Sequence, residues 1–246
     1  MNKIVKLSAM ETKLFFREKM AVFWTFLFPL LMIWLFGAMF GDTKIGGMSY
    51  SDAYVPSWIA VNLMTIAFFG IGTVLASYRE KGILRRYQAT TVRPWMVLTA
   101  QTVQGTIIFV ISAIIIIVFA VLKFDLSEPK YLGSTLLAFG LSLIAFFPFG
   151  LLINSIGKSV RTANAISSLA MNLMIFLSGA TFPLEMMPKF LQYVAHLLPL
   201  YYVIDLTRQT WNFTPLWQNS LDLAVLIGIA VVSITLSSRY FRWSGQ

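Results

Sequence analysis

The sequence predicts an all-α polytopic membrane protein of six transmembrane helices, and the distribution of charge carries that reading. Six long apolar runs divide the chain, its charged residues crowd the short stretches between them, and Lys and Arg concentrate in every second stretch. Composition agrees. With 58% apolar and 12% charged residues and a mean hydropathy of +0.75, the chain lacks the surface of a soluble fold, in which roughly 25% of residues are charged. The breaks recur at the pitch of spans and loops, so the 246 residues read as a single transmembrane domain, 1–246.

The apolar runs lie at about 21–40, 54–76, 97–122, 132–157, 162–184 and 219–238. Each is near or above the ~20 residues that a helix needs to cross ~30 Å of hydrocarbon. An open strand would leave backbone groups unpaired in lipid, and no ten-residue alternation suggests a barrel. Of the 19 Lys and Arg, 14 fall before the first run, in 77–96, in 158–161 and after the last run. The positive-inside rule therefore puts both termini and those two loops in the cytoplasm. The first run has no small-residue cleavage site before it and reads as a retained span. In this setting the net charge of +9 orients the chain against an anionic membrane face and does not indicate nucleic acid. There is no cysteine, which excludes disulfides and thiolate chemistry.

Residues 1–20 mix Ile4, Val5, Leu7, Leu14 and Phe15 with Lys3, Lys6, Lys13, Arg17 and Lys19, a pattern suited to a helix lying in the inner interface among membrane lipids. The basic loop 77–96 is too long for a turn and places Leu84 and Tyr87 at helical spacing, so a short helix is expected after Gly82 and a new span from Pro94. After the fifth run, about 183–208 is too apolar for a solvated loop, yet Pro183, Pro188 and Pro199 cut it into pieces too short to span. Re-entrant or interfacial helices fit. Within the fifth run Asn164, Ser168, Asn172 and Gly179 fall near one face that would point at protein or water. Pro29 and Pro148 should interrupt the hydrogen-bond ladders of the first and fourth spans.

Catalytic chemistry finds little support. Gly157-Lys158-Ser159 ends like a phosphate-binding loop, but the required earlier glycine is Leu152, and no strand precedes it. His196 is the only histidine, so no metal site is expected. No nucleophile with a base and no paired acid and base can be assembled.

Three segments together resemble the permease subunits of type-2 ATP-binding-cassette exporters, over essentially the whole chain. They are Phe16-Arg17-Glu18 with Phe28-Pro29-Leu30-Leu31; Arg79-Glu80-Lys81-Gly82 with Leu84 and Arg93-Pro94; and Leu177-Ser178-Gly179, Phe182-Pro183-Leu184-Glu185, Pro188 and Leu198-Pro199-Leu200-Tyr201-Tyr202 through Asp205 and Arg208. The resemblance implies an N-terminal connecting helix, a coupling helix at about 79–92 and small re-entrant helices between the last two spans. It also implies a second permease, identical or related, and a separate ATPase subunit that holds the ATP and Mg; this chain itself would carry no cofactor and no enzymatic activity. Coupling to the ATPase would fall to Glu80, Gly82, Leu84, Arg85 and Arg86. The family often has an acidic residue where this chain has Arg85-Arg86, which implies a differently charged cleft on its partner. Asn164, Ser168 and Asn172 are the candidate substrate path, and Gly179, Pro183, Glu185, Pro188 and Pro199 mark the outer segment. The expected function is ATP-driven export of an apolar or amphiphilic substrate such as a lipid, lipid-linked glycan, peptide or drug across a bacterial inner membrane. The alternatives are a non-transporting anchor of a sensory or immunity complex and an autonomous secondary carrier.

Overall fold

The computed structural model describes residues 2–41, 44, 47–89, 92–157, 159–182, 184 and 187–240. Helix α1 (Asn2–Arg17) leads into six helices that are long and apolar enough to cross a membrane. These are α2 (Lys19–Phe40), α3 (Tyr50–Glu80), α5 (Pro94–Phe124), α6 (Leu132–Ile156), α7 (Val160–Leu177) and α10 (Ser220–Tyr240). Short helices fill two connections: α4 (Ile83–Gln88) between α3 and α5, and α8 (Lys189–Ala195) and α9 (Pro199–Asn212) between α7 and α10. No β-strand occurs among the described residues. The chain is an integral membrane protein.

Span ends follow local chemistry. Helix α3 starts where Ser49 accepts a hydrogen bond from Asp52 N, a side-chain N-cap. Helix α7 starts the same way, with Ser159 accepting from Thr162 N. It ends at Leu177, earlier than the apolar run to 184, because Gly179 takes a positive φ of 82° and turns the chain out of the helix.

Helix α3 is the buried axis of the fold. In its apolar window 72% of residues are buried, against 22% in those of α2 and α7. Helix α6 packs against both α3 and α10, α9 lies on α3 and α6, and α1 lies along α5. Two glycines permit the α3–α6 approach. A Cβ at Gly150 would sit 2.3 Å from Ala67 O, and one at Gly72 would sit 2.1 Å from Asn154 Nδ2.

Proline shapes the interior, because each intrahelical proline strips the carbonyl four residues earlier of its usual donor. Pro29 deprives Thr25 O. A π-helical turn, Phe23–Leu27, precedes it, and side chains from two other spans supply the missing donors: Asn62 Nδ2 at 2.5 Å and Ser112 Oγ at 3.1 Å. Pro56 deprives Asp52 O, which accepts from Asn212 Nδ2 of α9 at 3.0 Å. Proline in a span is tolerated where neighbours re-satisfy the freed carbonyl in this way. Helix α6 runs unbroken through Pro148.

Candidate coupling and transport elements

The basic loop begins as the last turn of α3. Arg79 and Glu80 belong to that span, not to the short helix. Lys81 N donates to Ser77 O and Gly82 N to Arg79 O, and Gly82, with φ 68°, adopts the left-handed conformation that closes a helix C-terminus. Helix α4 follows at Ile83–Gln88, shorter than the 79–92 expected; residues 90 and 91 lie outside the described residues. Leu84 is fully buried and joins the main apolar core, whereas Arg86 is exposed. The side chain of Arg85 lies outside the described set.

Glu80 and Arg79 grip the connection between α6 and α7. An Arg79 guanidinium nitrogen donates to Gly157 O, the carbonyl just past the end of α6, where the helix dipole favours a cation. Glu80 Oε2 accepts from Val160 N at 2.5 Å, at the first turn of α7, where the dipole favours an anion. These two contacts join this end of α3 to both α6 and α7.

Deeper in the bundle a polar junction joins the same three helices. Asn154 of α6 donates to Phe68 O at 3.0 Å and to Gly150 O at 2.9 Å. Phe68 lies in the second π-helical stretch, Ile66–Gly72. The Thr73 hydroxyl lies 2.9 Å from Asn164 Oδ1 of α7 and 3.3 Å from Asn154 Oδ1. Of the three candidate path residues, Asn164 is thus engaged within the chain, Ser168 is half-buried and Asn172 is exposed. A four-residue step overshoots the helical repeat by about 40°, so over two steps the row rotates away from the α3 contact.

At the opposite end, Arg208 of α9 ties three segments together. Its Nε donates to Ala53 O at 2.8 Å and Ser57 Oγ at 2.7 Å, and its terminal nitrogen donates to Gly179 O at 2.8 Å. The guanidinium lies 5.8 Å from the centre of the Tyr54 ring, and the Tyr54 hydroxyl donates to Thr181 O at 2.8 Å. Trp211 Nε1 donates to Ser127 O at 3.1 Å, and the Asp52 carboxylate accepts from Ser127 N and Oγ at 3.0 and 3.1 Å. Burial pushes the Asp205 carboxyl above the usual range, opposed by its hydrogen bond with Gln209 and the charges of Arg208 and His196. Pro188 is the N-cap of α8 and Pro199 opens α9, as a residue lacking an N–H should. Pro183 and Glu185 lie outside the described residues. Among the described residues no cluster of His, Asp or Glu could hold a metal.

The family described as ABC-2 type transporter matches residues 3–211. The chain belongs to that family. Similar proteins include the putative transport permease YvfS of Bacillus subtilis, 26% identical over 98% of both chains. Nodulation protein J of Rhizobium leguminosarum bv. viciae is 29% identical over 84% of this chain and 79% of its own. The probable multidrug ABC transporter permease YbhR of Escherichia coli is 28% identical over 67% of this chain and 45% of its own. As an ABC-2 permease the chain is a transmembrane subunit of an ABC transporter, a membrane component whose ATPase is a separate subunit.

Sequence reasoning located the Arg79–Gly82 segment and the outer prolines but missed Asn62, Asn154 and Asp52. Two signals were available, Pro29 and Pro56: a proline inside a span frees a carbonyl that some distant side chain must satisfy, as Asn62 does for Thr25 O and Asn212 for Asp52 O.

Proposed function

We propose that this ABC-2 permease is the export subunit of an ATP-driven transporter in a bacterial inner membrane, with both termini and α4 on the cytoplasmic side. One observation carries the reading: α4 follows directly on the end of the span that holds α6 and α7 through Arg79 and Glu80. A separate ATPase, with its ATP and Mg, seats against α4, with Leu84 anchoring the helix to the core and Arg85 and Arg86 addressing the partner. Nucleotide-driven closure pushes α4, and the push passes through the last turn of α3 to the bundle.

The substrate is apolar or amphiphilic, in keeping with spans that carry almost no charge and with the name of the multidrug permease relative. Two permeases, identical or related, face each other across the pathway, to which Ser168 and Asn172 contribute from α7. Asn164 serves the α3 contact instead. On the outer side α8 and α9 form a re-entrant cap fastened by Arg208.

Affinity purification of the tagged chain in mild detergent tests this directly. A stoichiometric ATPase should co-purify, and its rate should change when the exposed Arg86 is replaced by Ala while insertion and expression stay normal. Recovery of the chain alone under several detergents would overturn the proposal in favour of an anchor or an autonomous carrier.

A further inference from the structure

We infer that Glu11 is a positioning residue that fixes the interfacial helix α1 to the bases of α3 and α5 beside α4, and that this docking responds to protonation. Helix α1 carries one acid among four basic residues, and it is the acid that turns inward. Lys3, Lys6, Lys13 and Arg17 are exposed, while Glu11 is only 6% exposed and Ser8, one turn before it, only 4%. Interfacial attachment explains the outward lysines. It does not explain a buried carboxyl, whose burial costs free energy unless the group is hydrogen-bonded, paired or neutralised.

The groups that face Glu11 come from three elements. From α3, the Tyr78 hydroxyl lies 2.9 and 2.8 Å from the two carboxylate oxygens. From α5, the Gln101 amide faces the same carboxyl and favours its ionised form, though Nε2 stops short of hydrogen-bonding geometry and is buried without a partner. From α4, Tyr87 feels the carboxylate's charge, which adds to burial in pushing its phenol up. Arg79, the residue after Tyr78, is turned onto Gly157 O. The single carboxyl therefore sits where the N-terminal helix, the last turns of α3, the helix after it and the first turns of α5 converge.

Burial raises the Glu11 carboxyl above its ordinary range and outweighs the opposing contacts of Tyr78 and Gln101. Docked α1 thus holds the proton more tightly than undocked α1. The sign follows from linkage: the proton's contribution to docking is fully present below the ordinary glutamate value and is lost as pH rises through the docked value. The docking itself stands on the geometry; its consequence for transport rests on the reading of α4 given above, since α1 and α4 would then move as one unit.

The absence of cysteine permits a clean test. Leu14 and Lys81 are both exposed and flank the junction, so the L14C/K81C chain can be spin-labelled in nanodiscs and its interlabel distance measured from pH 4 to pH 8. A narrow distribution at pH 4 should broaden as pH rises. Glu11→Gln, which keeps the shape without the charge, should hold the narrow distribution at every pH, and Glu11→Ala should lose it at every pH. One distribution shared by all three chains, or a pH response that survives in Glu11→Gln, overturns the proposal. The ATPase rate of the co-purified complex supplies the functional readout. There Glu11→Gln should flatten the pH profile and Glu11→Ala should abolish the permease-dependent part of the rate. If no ATPase co-purifies, the transport reading fails while the distances still decide the latch.

Discussion

The carbonyl freed by Pro29 allows a quantitative test of how this fold tolerates proline in a span. Thr25 O has two donors from outside its own helix, Asn62 Nδ2 and Ser112 Oγ, so either can be removed without leaving it bare. Ser112→Ala should cost ~0.6 kcal/mol, the mean for a side-chain hydrogen bond in a membrane bundle. Asn62→Leu should cost about as little, since it also removes Asn62 Oδ1, a buried acceptor with no partner, whose desolvation penalty offsets part of the lost bond. The double variant leaves Thr25 O uncapped in hydrocarbon, at a cost of several kcal/mol. Against a summed expectation of ~1.2 kcal/mol, a double cost of ~3 kcal/mol means a coupling near 2 kcal/mol, or a shift of more than tenfold in the unfolding equilibrium. Pro29→Ala restores an N–H and should remove most of that coupling. Steric-trapping measurements of unfolding in bicelles give all four energies and the rescue. Additive costs, or a coupling unchanged by Pro29→Ala, would refute the claim that these side chains stand in for the missing proline donor.

Further expectations concern the glycine contact and the two ends of α3. Gly150→Val should sharply reduce folded yield, measured by size-exclusion chromatography of the detergent-solubilised chain, because its Cβ would meet the Ala67 carbonyl, backbone that cannot rotate away. Glu80→Ala should destabilise the α7 start by about 0.5–2 kcal/mol, the range for losing a helix N-terminal cap, while Glu80→Gln should retain most of it; thermal denaturation in detergent reads the difference. Arg208→Lys should loosen the outer segment, since one ammonium cannot reach Ala53 O, Ser57 Oγ and Gly179 O together. Limited proteolysis between residues 177 and 199 should accelerate in that variant, and unchanged cleavage would remove Arg208 from its assigned place.

The six spans were legible because apolar length and charge alternation are local properties that the bilayer imposes on each helix separately. Helix-ending chemistry was legible for the same reason, as Gly82, Pro94, Pro188 and Pro199 show. What escaped was pairing between segments far apart in sequence. Asn154 meets Phe68 O and Asn62 meets Thr25 O across separations of 86 and 37 residues, and hydrophobic periodicity does not encode partners. The fifth run looked longer than its helix because residues after Gly179 remain apolar while the backbone has already turned. Glu11 was hidden by its setting, since one acid among lysines reads as surface until the packing shows that it faces inward.

These contacts converge on α3. Through Asn62 it bonds to α2, through Phe68 O to α6, through Thr73 to α7, through Tyr78 to α1, and through Ala53 O and Asp52 O to α9. A helix held along its whole length cannot slide past its neighbours without breaking several buried hydrogen bonds together. It can bend where its own ladder is already irregular. Ile66–Gly72 is that place, a π-helical stretch whose Phe68 carbonyl receives a side-chain donor from Asn154. On the proposed coupling, a push at Glu80 would reach the Arg208 end by pivoting α3 about the Asn154–Thr73–Asn164 junction. Spans α6 and α7, joined to α3 both on the Glu80 side of that pivot and at it, would be carried along, while the Asn62 bond to α2 lies on the far side.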